Sequence, residues 1–391
     1  MVARGQDADL VGTPAAWQRA AKDGKKPPGE EQRDGNRVKD GQIAMKIGIF
    51  DHVEHGDRPL ATLYDERLEF AAAADAAGFY GSHVAEHHQT PLNLVPSPSV
   101  YLGAVARATK RLRFGPLVYL LPLYSPLRLI EEICMLDHLS RGRLDVGVGR
   151  GISPYELKFH KVEHDDARDI FIDAFQCLSA GLTSDTLSYT GKYYEYKNVP
   201  IAMRPLQQPQ PPFWYASSNA TGSTWGGEHG LHYVTLGPTA AAKTNIETFK
   251  TALAKRGAPA QPKAGFPGGA VIGVQRHIFL ADTDEEAHRY GKPAMEAHLA
   301  NLNWLRVKQG DTGLTSRLVV PHGQTFEDTI ANGSAIVGSP ATVRAEIERQ
   351  VRELGVNYLL TYLFLGTMSL TDALRSLALF RDEVMPHLAT L

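Results

Sequence analysis

Short apolar runs alternate with longer amphipathic segments along most of this chain, and this alternation limits the folds that it can adopt. Eight apolar runs predict β-strands at residues 46–50, 80–85, 112–121, 144–148, 213–216, 232–236, 271–280 and 358–364. The amphipathic segments between and after them predict helices at residues 60–77, 97–110, 126–138, 167–182, 221–229, 240–256, 283–303, 340–354 and 371–384. Eight strands, each followed by a helix, predict an α/β fold of the closed (β/α)8 TIM-barrel type.

Most of the predicted strands lack the alternation of apolar and polar residues, as expected for parallel strands that are covered on both faces. An open, doubly wound sheet is the alternative, but it would normally carry a glycine-rich dinucleotide motif after its first strand, and KIGIFDHVEHGD has none. Two insertions are longer than a connection requires, residues 183–212 before strand five and 309–339 before strand eight. We predict that these insertions form lids or walls of a site.

The composition excludes several classes of function. The formal net charge of −2 and the pI near 6.7 give no basic footprint for nucleic acid or for an anionic membrane. No apolar run reaches the roughly 18 residues that a membrane helix needs. The two cysteines, Cys134 and Cys177, lie in apolar helical patterns, which is typical of small buried residues in a reducing, cytoplasmic environment.

The first 44 residues differ from the rest of the chain. They are charged, are interrupted by Gly and Pro, and contain neither a periodic apolar pattern nor the apolar core of a signal peptide. Their apolar surface is too small to offset the entropy lost on ordering. We therefore predict a disordered N-terminal extension at residues 1–44 and a single barrel domain at residues 45–391.

Three adjacent titratable residues follow the second predicted strand. Glu86, His87 and His88 lie in the sequence YGSHVAEHHQTP, which breaks at Thr90 and Pro91. The carboxyl ends of the strands carry the active site in α/β barrels, so this motif is a candidate for catalysis. A surface histidine pair beside a loop is the alternative.

Two further segments carry candidate binding residues. Arg150 follows the fourth predicted strand between Gly149 and Gly151, and a guanidinium group suits a phosphate; a salt bridge to a loop carboxylate such as Glu156 is the alternative. After the fifth strand, ASSNATGSTW places hydroxyl and amide groups at the start of a predicted helix, as in anion sites. Ordinary N-capping by Ser or Asn is the alternative there.

The sequence contains no signature of metal or nucleophilic catalysis. No histidine pair has a metal-ligand spacing such as HExxH, and there is neither a GxSxG elbow nor a Walker loop. A metallohydrolase barrel is therefore disfavoured, and we predict no metal site.

Four motifs in this order resemble the bacterial-luciferase-like flavin-dependent monooxygenase family. They are EHH, SRGRLDVGVGRG, ASSNATGSTW and DEVMPHL, and the resemblance spans residues 45–388. No single motif would be sufficient. The resemblance implies a luciferase-like barrel with a non-proline cis peptide bond at Leu117-Val118.

The resemblance also implies roles for individual residues. His87 matches the family's catalytic acid or base. Glu86 and His88 alternate to the other side of the strand, and we therefore predict that they orient the loop or contact the polar edge of the flavin ring. The flavin and its phosphate would be bound by Arg150 and by the turn that contains Ser217, Ser218 and Thr221. Ser217 replaces an acidic residue found in some family members, which leaves its individual role open.

The implied function is a monooxygenase that uses reduced FMN and O2 to oxygenate a small organic substrate. A separate flavin reductase would supply the reduced FMN, because no nicotinamide motif is visible. Two alternatives are a deazaflavin (F420)-dependent oxidoreductase on the same fold and a non-catalytic flavin-binding partner subunit. The pocket-lining loops of such a barrel vary freely, so the substrate is not predicted.

A homodimer is predicted from the second and third helices. Their apolar residues cover more of the helix surface than one barrel wall needs: Val100, Leu102, Val105, Leu129, Ile133, Met135 and Leu136. The usual dimer of the family packs this side.

Overall fold

Parallel strands form a nearly closed barrel in the computed structural model, which describes residues 45–310 and 324–388. The strands are β1 (Lys46–Asp51), β2 (Gly81–Val84), β3 (Arg113–Pro116), β4 (Tyr119–Leu120), β5 (Val146–Gly149), β6 (Thr186–Thr190), β7 (Glu195–Pro200), β8 (Phe213–Ala216), β9 (His232–Thr235), β10 (Ile272–Leu280), β11 (Ala335–Gly338) and β12 (Tyr358–Tyr362). The sheet runs in the order β3-β2-β1-β12-β10-β9-β8-β5-β4. The predicted TIM-barrel fold is confirmed.

Helices cover the outside of this sheet. They are α1 (Leu60–Ala76), α2 (Pro98–Ala108), α3 (Pro126–Ser140), α4 (Pro154–Phe159), α5 (Ala167–Thr183), α6 (Ala220–Glu228), α7 (Thr239–Arg256), α8 (Asp284–Lys308), α9 (Phe326–Ala331), α10 (Pro340–Leu354), α11 (Leu370–Leu379) and α12 (Met385–Leu388), with a π-helical turn at Phe380–Val384. None of the helices within residues 45–310 and 324–388 has both the length and the hydropathy of a membrane span.

The third barrel strand differs from its prediction as one continuous run. It is divided into β3 and β4 by a cis peptide bond at Leu117-Val118, which the family resemblance implied. β3 pairs with β2 and β4 pairs with β5, so the interrupted strand closes the barrel at this position. The last predicted residue, Leu121, belongs instead to a 3-10 turn.

The two predicted insertions have different structures. The first contains the antiparallel hairpin of β6 and β7, which Asp173 on α5 anchors through the backbone N–H groups of Tyr193 and Tyr194. The second contains α9 and β11, and β11 is a short parallel strand on β10 that our sequence analysis missed. Residues 311–323 of this insertion, like the predicted extension at residues 1–44, lie outside the described residues.

The hydrophobic core limits the argument for a dimer. Leu102 and Val105 of α2 and Leu129, Ile133 and Leu136 of α3 are buried between helix and barrel. Five of the seven apolar residues on which the dimer prediction rested are therefore core residues. Val100 and Met135 remain exposed, at 77% and 52% of their surface. Both cysteines are buried and free, as predicted.

Candidate functional site

The loop after β2 and the short helix α4 meet at the carboxyl end of the barrel. Ser153 caps α4 by accepting a hydrogen bond from the backbone N–H of Glu156. The Glu156 carboxylate then lies 3.1 Å from Nδ1 of His87 through one oxygen and accepts the His88 N–H at 2.8 Å through the other. Glu156 thus holds two consecutive residues of the EHH motif. In the sequence it was considered only as a partner of Arg150.

The pair of His87 and Glu156 is arranged to hold opposite charges. Burial lowers the pKa of His87, but the adjacent Glu156 carboxylate outweighs it, and the pKa is raised above 6.5. Burial by itself would raise the pKa of Glu156. The charge of His87 and the hydrogen bond to it act in the opposite direction, and the pKa is lowered below 4.5. The His87 side chain is 19% exposed, so it combines a raised proton affinity with access to the barrel mouth. No hydrogen bond among the described residues uses its Nε2 atom.

Glu86 has a different environment from His87. One of its carboxylate oxygens lies 2.8 Å from Nε2 of His88, and the other accepts hydrogen bonds from the Leu120 N–H and the Tyr124 hydroxyl. Its side chain is completely buried. Glu86 therefore connects β2 to the end of β4, which fits the predicted role of orienting the loop; its predicted contact with the cofactor stays a prediction.

Arg150 and Ser217 are brought together by strand pairing. β5 and β8 are parallel neighbours in which Val148 pairs with Tyr215. Arg150 lies two residues after Val148 and Ser217 lies two residues after Tyr215, so both stand at the same height above the strand ends. Arg150 is partly exposed, and its Nε donates to the carbonyl of Gly151 at 3.2 Å. No ion pair between Arg150 and Glu156 occurs among the described residues, because Glu156 is paired with His87.

The predicted turn after β8 forms the start of α6. Asn219 is the N-cap residue, and its side chain accepts the Gly222 N–H at 2.9 Å. Ser217 is buried and accepts the Asn219 N–H, whereas Ser218 is partly exposed and Thr221 is exposed. The exposed hydroxyls, the N-terminus of α6 and the charge of Arg150 fit a phosphate group at this position.

The glycines that flank Arg150 serve packing within the protein. A Cβ on Gly149 would lie 2.3 Å from Val118, and one on Gly147 would lie 2.3 Å from the carbonyl oxygen of Pro116. Gly151 has a φ of +90°, which favours glycine. The glycines of VGVGRG therefore accommodate the interrupted third strand, in addition to any approach of a ligand.

Several polar residues at the mouth were missed by our sequence analysis. Glu54, which follows β1, accepts hydrogen bonds from His298 of α8 at 2.8 Å and from Tyr362 of β12 at 3.2 Å. The rings of His52 and His277 lie 5.5 and 4.9 Å from the ring of His298. The sequence carried one usable signal, the titratable residues of DHVEH directly after a predicted strand. Within the described residues, no group of His, Cys, Asp or Glu could hold a metal ion.

Comparison with known protein sequences finds relatives that match most of the chain. The protein y4wF of Sinorhizobium fredii, which is uncharacterized, is 35% identical over 87% of this chain and 96% of its own length. The oxygenase component of the flavin-dependent trigonelline monooxygenase of Acinetobacter baylyi is 27% identical over 62% of this chain and 67% of its own length.

Solved structures share the fold. Monooxygenase RslO1 from Streptomyces bottropensis has a TM-score of 0.76 and 24% identity, covering 88% of this chain and 99% of its own. The oxygenating constituent of 3,6-diketocamphane monooxygenase from Pseudomonas putida, solved in complex with FMN, has a TM-score of 0.73 and 22% identity over 88% and 99%. The coenzyme F420-dependent tetrahydromethanopterin reductase of Methanopyrus kandleri has a TM-score of 0.65 and 16% identity over 89% and 99%.

The chain also matches a sequence model that describes a whole protein family. The model of the luciferase-like monooxygenases matches residues 45–358, which include all the barrel strands up to the first residue of β12. This match includes three of the four motifs, EHH, SRGRLDVGVGRG and ASSNATGSTW, and the 35% identity to y4wF extends over 87% of the chain. The chain belongs to the luciferase-like monooxygenase family.

Proposed function

We propose that this chain is a flavin-dependent monooxygenase that uses reduced FMN and O2 to oxygenate a small organic substrate. The observation that carries the proposal is the contact of His87 with Glu156, 3.1 Å from Nδ1 to the carboxylate, which holds an imidazole of raised pKa at the barrel mouth. The FMN-bound 3,6-diketocamphane relative and the flavin-dependent trigonelline relative support the choice of cofactor. Bound reduced flavin would supply the electrons that activate oxygen.

The phosphate end of FMN would bind where β5 and β8 end. Arg150 supplies a positive charge, and Ser218 and Thr221 supply hydroxyl donors beside the N-terminus of α6. Ser217 is bonded to Asn219 and would shape this turn from within. This arrangement fits a dianionic group and requires no large basic patch.

His87 would hold and return a proton at the reacting end of the site. Its Nδ1 is bonded to Glu156, which orients the ring and leaves Nε2 to face the flavin and the substrate. Glu86 and His88 would keep the loop in place, because they pair with each other behind it. The surrounding barrel wall would exclude water from the reaction.

The remaining parts of the proposal concern partners and location. A separate reductase would deliver reduced FMN, as the name of the trigonelline oxygenase component indicates for that enzyme. A homodimer would form through α2 and α3, where Val100 and Met135 are exposed. A cytoplasmic location is consistent with two free cysteines.

One experiment tests this function against the alternatives. The purified protein is titrated with FMN and with F420, and reduced FMN is then mixed with oxygen and a panel of small ketones, phenols and terpenes. Oxygen uptake that exceeds peroxide release identifies an oxygenated substrate. His87→Ala should then lower turnover by roughly 10²–10⁴-fold while FMN affinity is nearly kept.

Three results would contradict the proposal. Selective binding of F420 would favour the deazaflavin-dependent oxidoreductase, whose fold the Methanopyrus kandleri enzyme shares. FMN binding without any effect on the oxygen reaction would favour a non-catalytic flavin-binding subunit. Normal turnover of His87→Ala at saturating flavin, with FMN affinity weakened tenfold or more, would reassign His87 to cofactor binding.

A further inference from the structure

Four neighbouring strands present imidazole and phenol rings at one side of the barrel mouth. Four strands are consecutive in the sheet in the order β2, β1, β12 and β10. His87 follows β2, His52 follows β1, Tyr362 is the last residue of β12, and His277 lies within β10. The ring centroids of neighbouring members are 5.6, 5.5 and 5.5 Å apart. Arg150 and Ser217 directly follow β5 and β8, on the other part of the barrel. We call His52 and His277 the histidine wall.

A buried carboxylate supports the histidine wall from behind. Glu54 accepts hydrogen bonds from Nδ1 of His298, from the Tyr362 hydroxyl and from the Gly366 N–H, the last at 2.7 Å. The Tyr362 hydroxyl also accepts the backbone N–H of His52 at 3.2 Å. Glu54 and His298 are almost completely buried, whereas both wall residues are partly exposed. The support is therefore internal, and the wall faces the mouth.

The surroundings of both wall imidazoles favour their neutral form. Burial, followed by the charge of His298, lowers the pKa of His52 and of His277 well below 6.5. No hydrogen bond among the described residues uses a side-chain nitrogen of His52 or His277, and only Nδ1 of each ring is buried, so Nε2 is the atom that a ligand can reach. A purely apolar substrate would leave these polar rings unsatisfied at a cost, so a wall of this kind matches a ligand that can hydrogen-bond.

We propose that the histidine wall binds an uncharged polar group of the organic substrate, a hydroxyl or a carbonyl oxygen, and that Glu54 and His298 position it. The inference rests on the proposed function, because it places the substrate between the wall and the flavin. A neutral imidazole can donate through one nitrogen and accept through the other, which suits either group. His52 and His277 are thereby specificity residues, and Glu54 and His298 are positioning residues.

The test uses three probes of similar shape that differ in one group: phenol, toluene and benzoate. The protein is labelled with 15N-histidine and loaded with oxidised FMN, and probe affinity is measured from the flavin absorbance. Phenol should bind roughly tenfold more tightly than toluene, the factor expected for one well-formed hydrogen bond. It should also shift the 15N resonances of His52 and His277. Benzoate should bind no more tightly than phenol.

Matched variants locate the effect. His52→Phe and His277→Phe should each reduce the preference for phenol over toluene severalfold, because the hydrogen bond is lost and the ring volume is kept. His288→Phe, the same change on the exposed side of α8, should leave the preference unchanged. Glu54→Gln should shift the resonances of both wall histidines before any probe is added.

The outcomes separate the inference from the proposed function. If FMN does not bind, the proposed function fails. If FMN binds but toluene equals phenol, or benzoate binds most tightly, the histidine wall is not a site for an uncharged polar group. If a variant does not fold, the probe comparison and the histidine resonances of the unaltered protein decide.

Discussion

His87 and Glu156 are 69 residues apart in the sequence, yet they form one ion pair at the barrel mouth. The pair joins the loop after β2 to helix α4, which follows β5. The same carboxylate also accepts the His88 N–H, so the orientation of the whole EHH motif depends on Glu156. Activity and local stability should therefore respond together when Glu156 is changed.

Glu156→Gln should lower the pKa of His87, since burial, which lowers this pKa, would then be opposed only by the smaller effect of the Glu86 charge. The raised pKa of His87 stabilises the folded protein below about pH 6.5, and this stabilisation is lost as the pH rises through the pKa of the folded state. The lowered pKa of Glu156 stabilises the folded protein above about pH 4.5, and this stabilisation is lost as the pH falls through the pKa of the folded state. The loss of unfolding free energy, about 1–3 kcal/mol, should thus be largest between these values. Urea unfolding across the pH range measures it.

Glu163→Gln is the control for this prediction, because Glu163 is exposed in the same segment. It should have little effect at any pH. A Glu156→Gln protein that loses the same free energy at alkaline and at mildly acidic pH would show that the ion pair does not contribute.

Arg150→Ala should weaken FMN binding by about 1.5–3 kcal/mol, as expected for the loss of a hydrogen bond to a charged group. Arg150 is partly exposed, and among the described residues its side chain donates a hydrogen bond only to the neighbouring Gly151 carbonyl, so the fold should tolerate the change. Titration calorimetry measures the dissociation constant. Arg107→Ala, on the exposed side of α2, is the matched control. An unchanged dissociation constant in the Arg150 variant would exclude this residue from the phosphate site.

Gly147→Ala should destabilise the protein by about 1–3 kcal/mol or more, because the new Cβ would lie 2.3 Å from a backbone oxygen that cannot rotate away. Gly103→Ala on α2 is the opposite case, since its Cβ would meet nothing within 4 Å. That change should stabilise the helix by about 0.5–1 kcal/mol. Denaturant midpoints of the two variants should move in opposite directions, and equal shifts would contradict the packing argument.

The proposed dimer should dissociate when a charge is placed on its interface. Val100→Asp introduces a carboxylate on α2, where 77% of the valine surface is exposed in the single chain. Light scattering should then show a monomer, whereas Val307→Asp, at an exposed valine of α8, should leave the dimer intact. A monomeric unaltered protein at micromolar concentration would show that α2 and α3 do not form an interface.

Local sequence signals were sufficient for most of the barrel. The fifth predicted strand, Phe213–Ala216, and the helix Pro340–Leu354 were both predicted with the ends that the structure shows. Proline, glycine or serine lies at or beside each of these ends, which makes the boundaries visible in the sequence. The third strand was predicted as continuous, since nothing in its residues alone reveals the cis bond that divides it. β11 was missed because the three apolar residues at 335–337, between Ser334 and Gly338, give little periodic signal.

The candidate site was only half visible in the sequence. EHH and the turn after β8 stand out because their residues are adjacent. Glu54 and His298 are 244 residues apart, and each alone resembles an ordinary polar residue. Only the closed barrel brings α8 back over β1, so no local pattern could have identified this pair.

The hydrogen bond between Glu54 and the Gly366 N–H joins segments that are 312 residues apart. β1 also pairs directly with β12, so the first and last strands of the barrel meet only when nearly the whole chain is available. A nascent chain whose synthesis has not passed β12 cannot seat Glu54 against Tyr362, and the loss of entropy for so long a loop delays that contact further. During synthesis, the mouth of this enzyme is therefore among the last parts to assemble, and flavin capture must wait until β12 and Gly366 have been made.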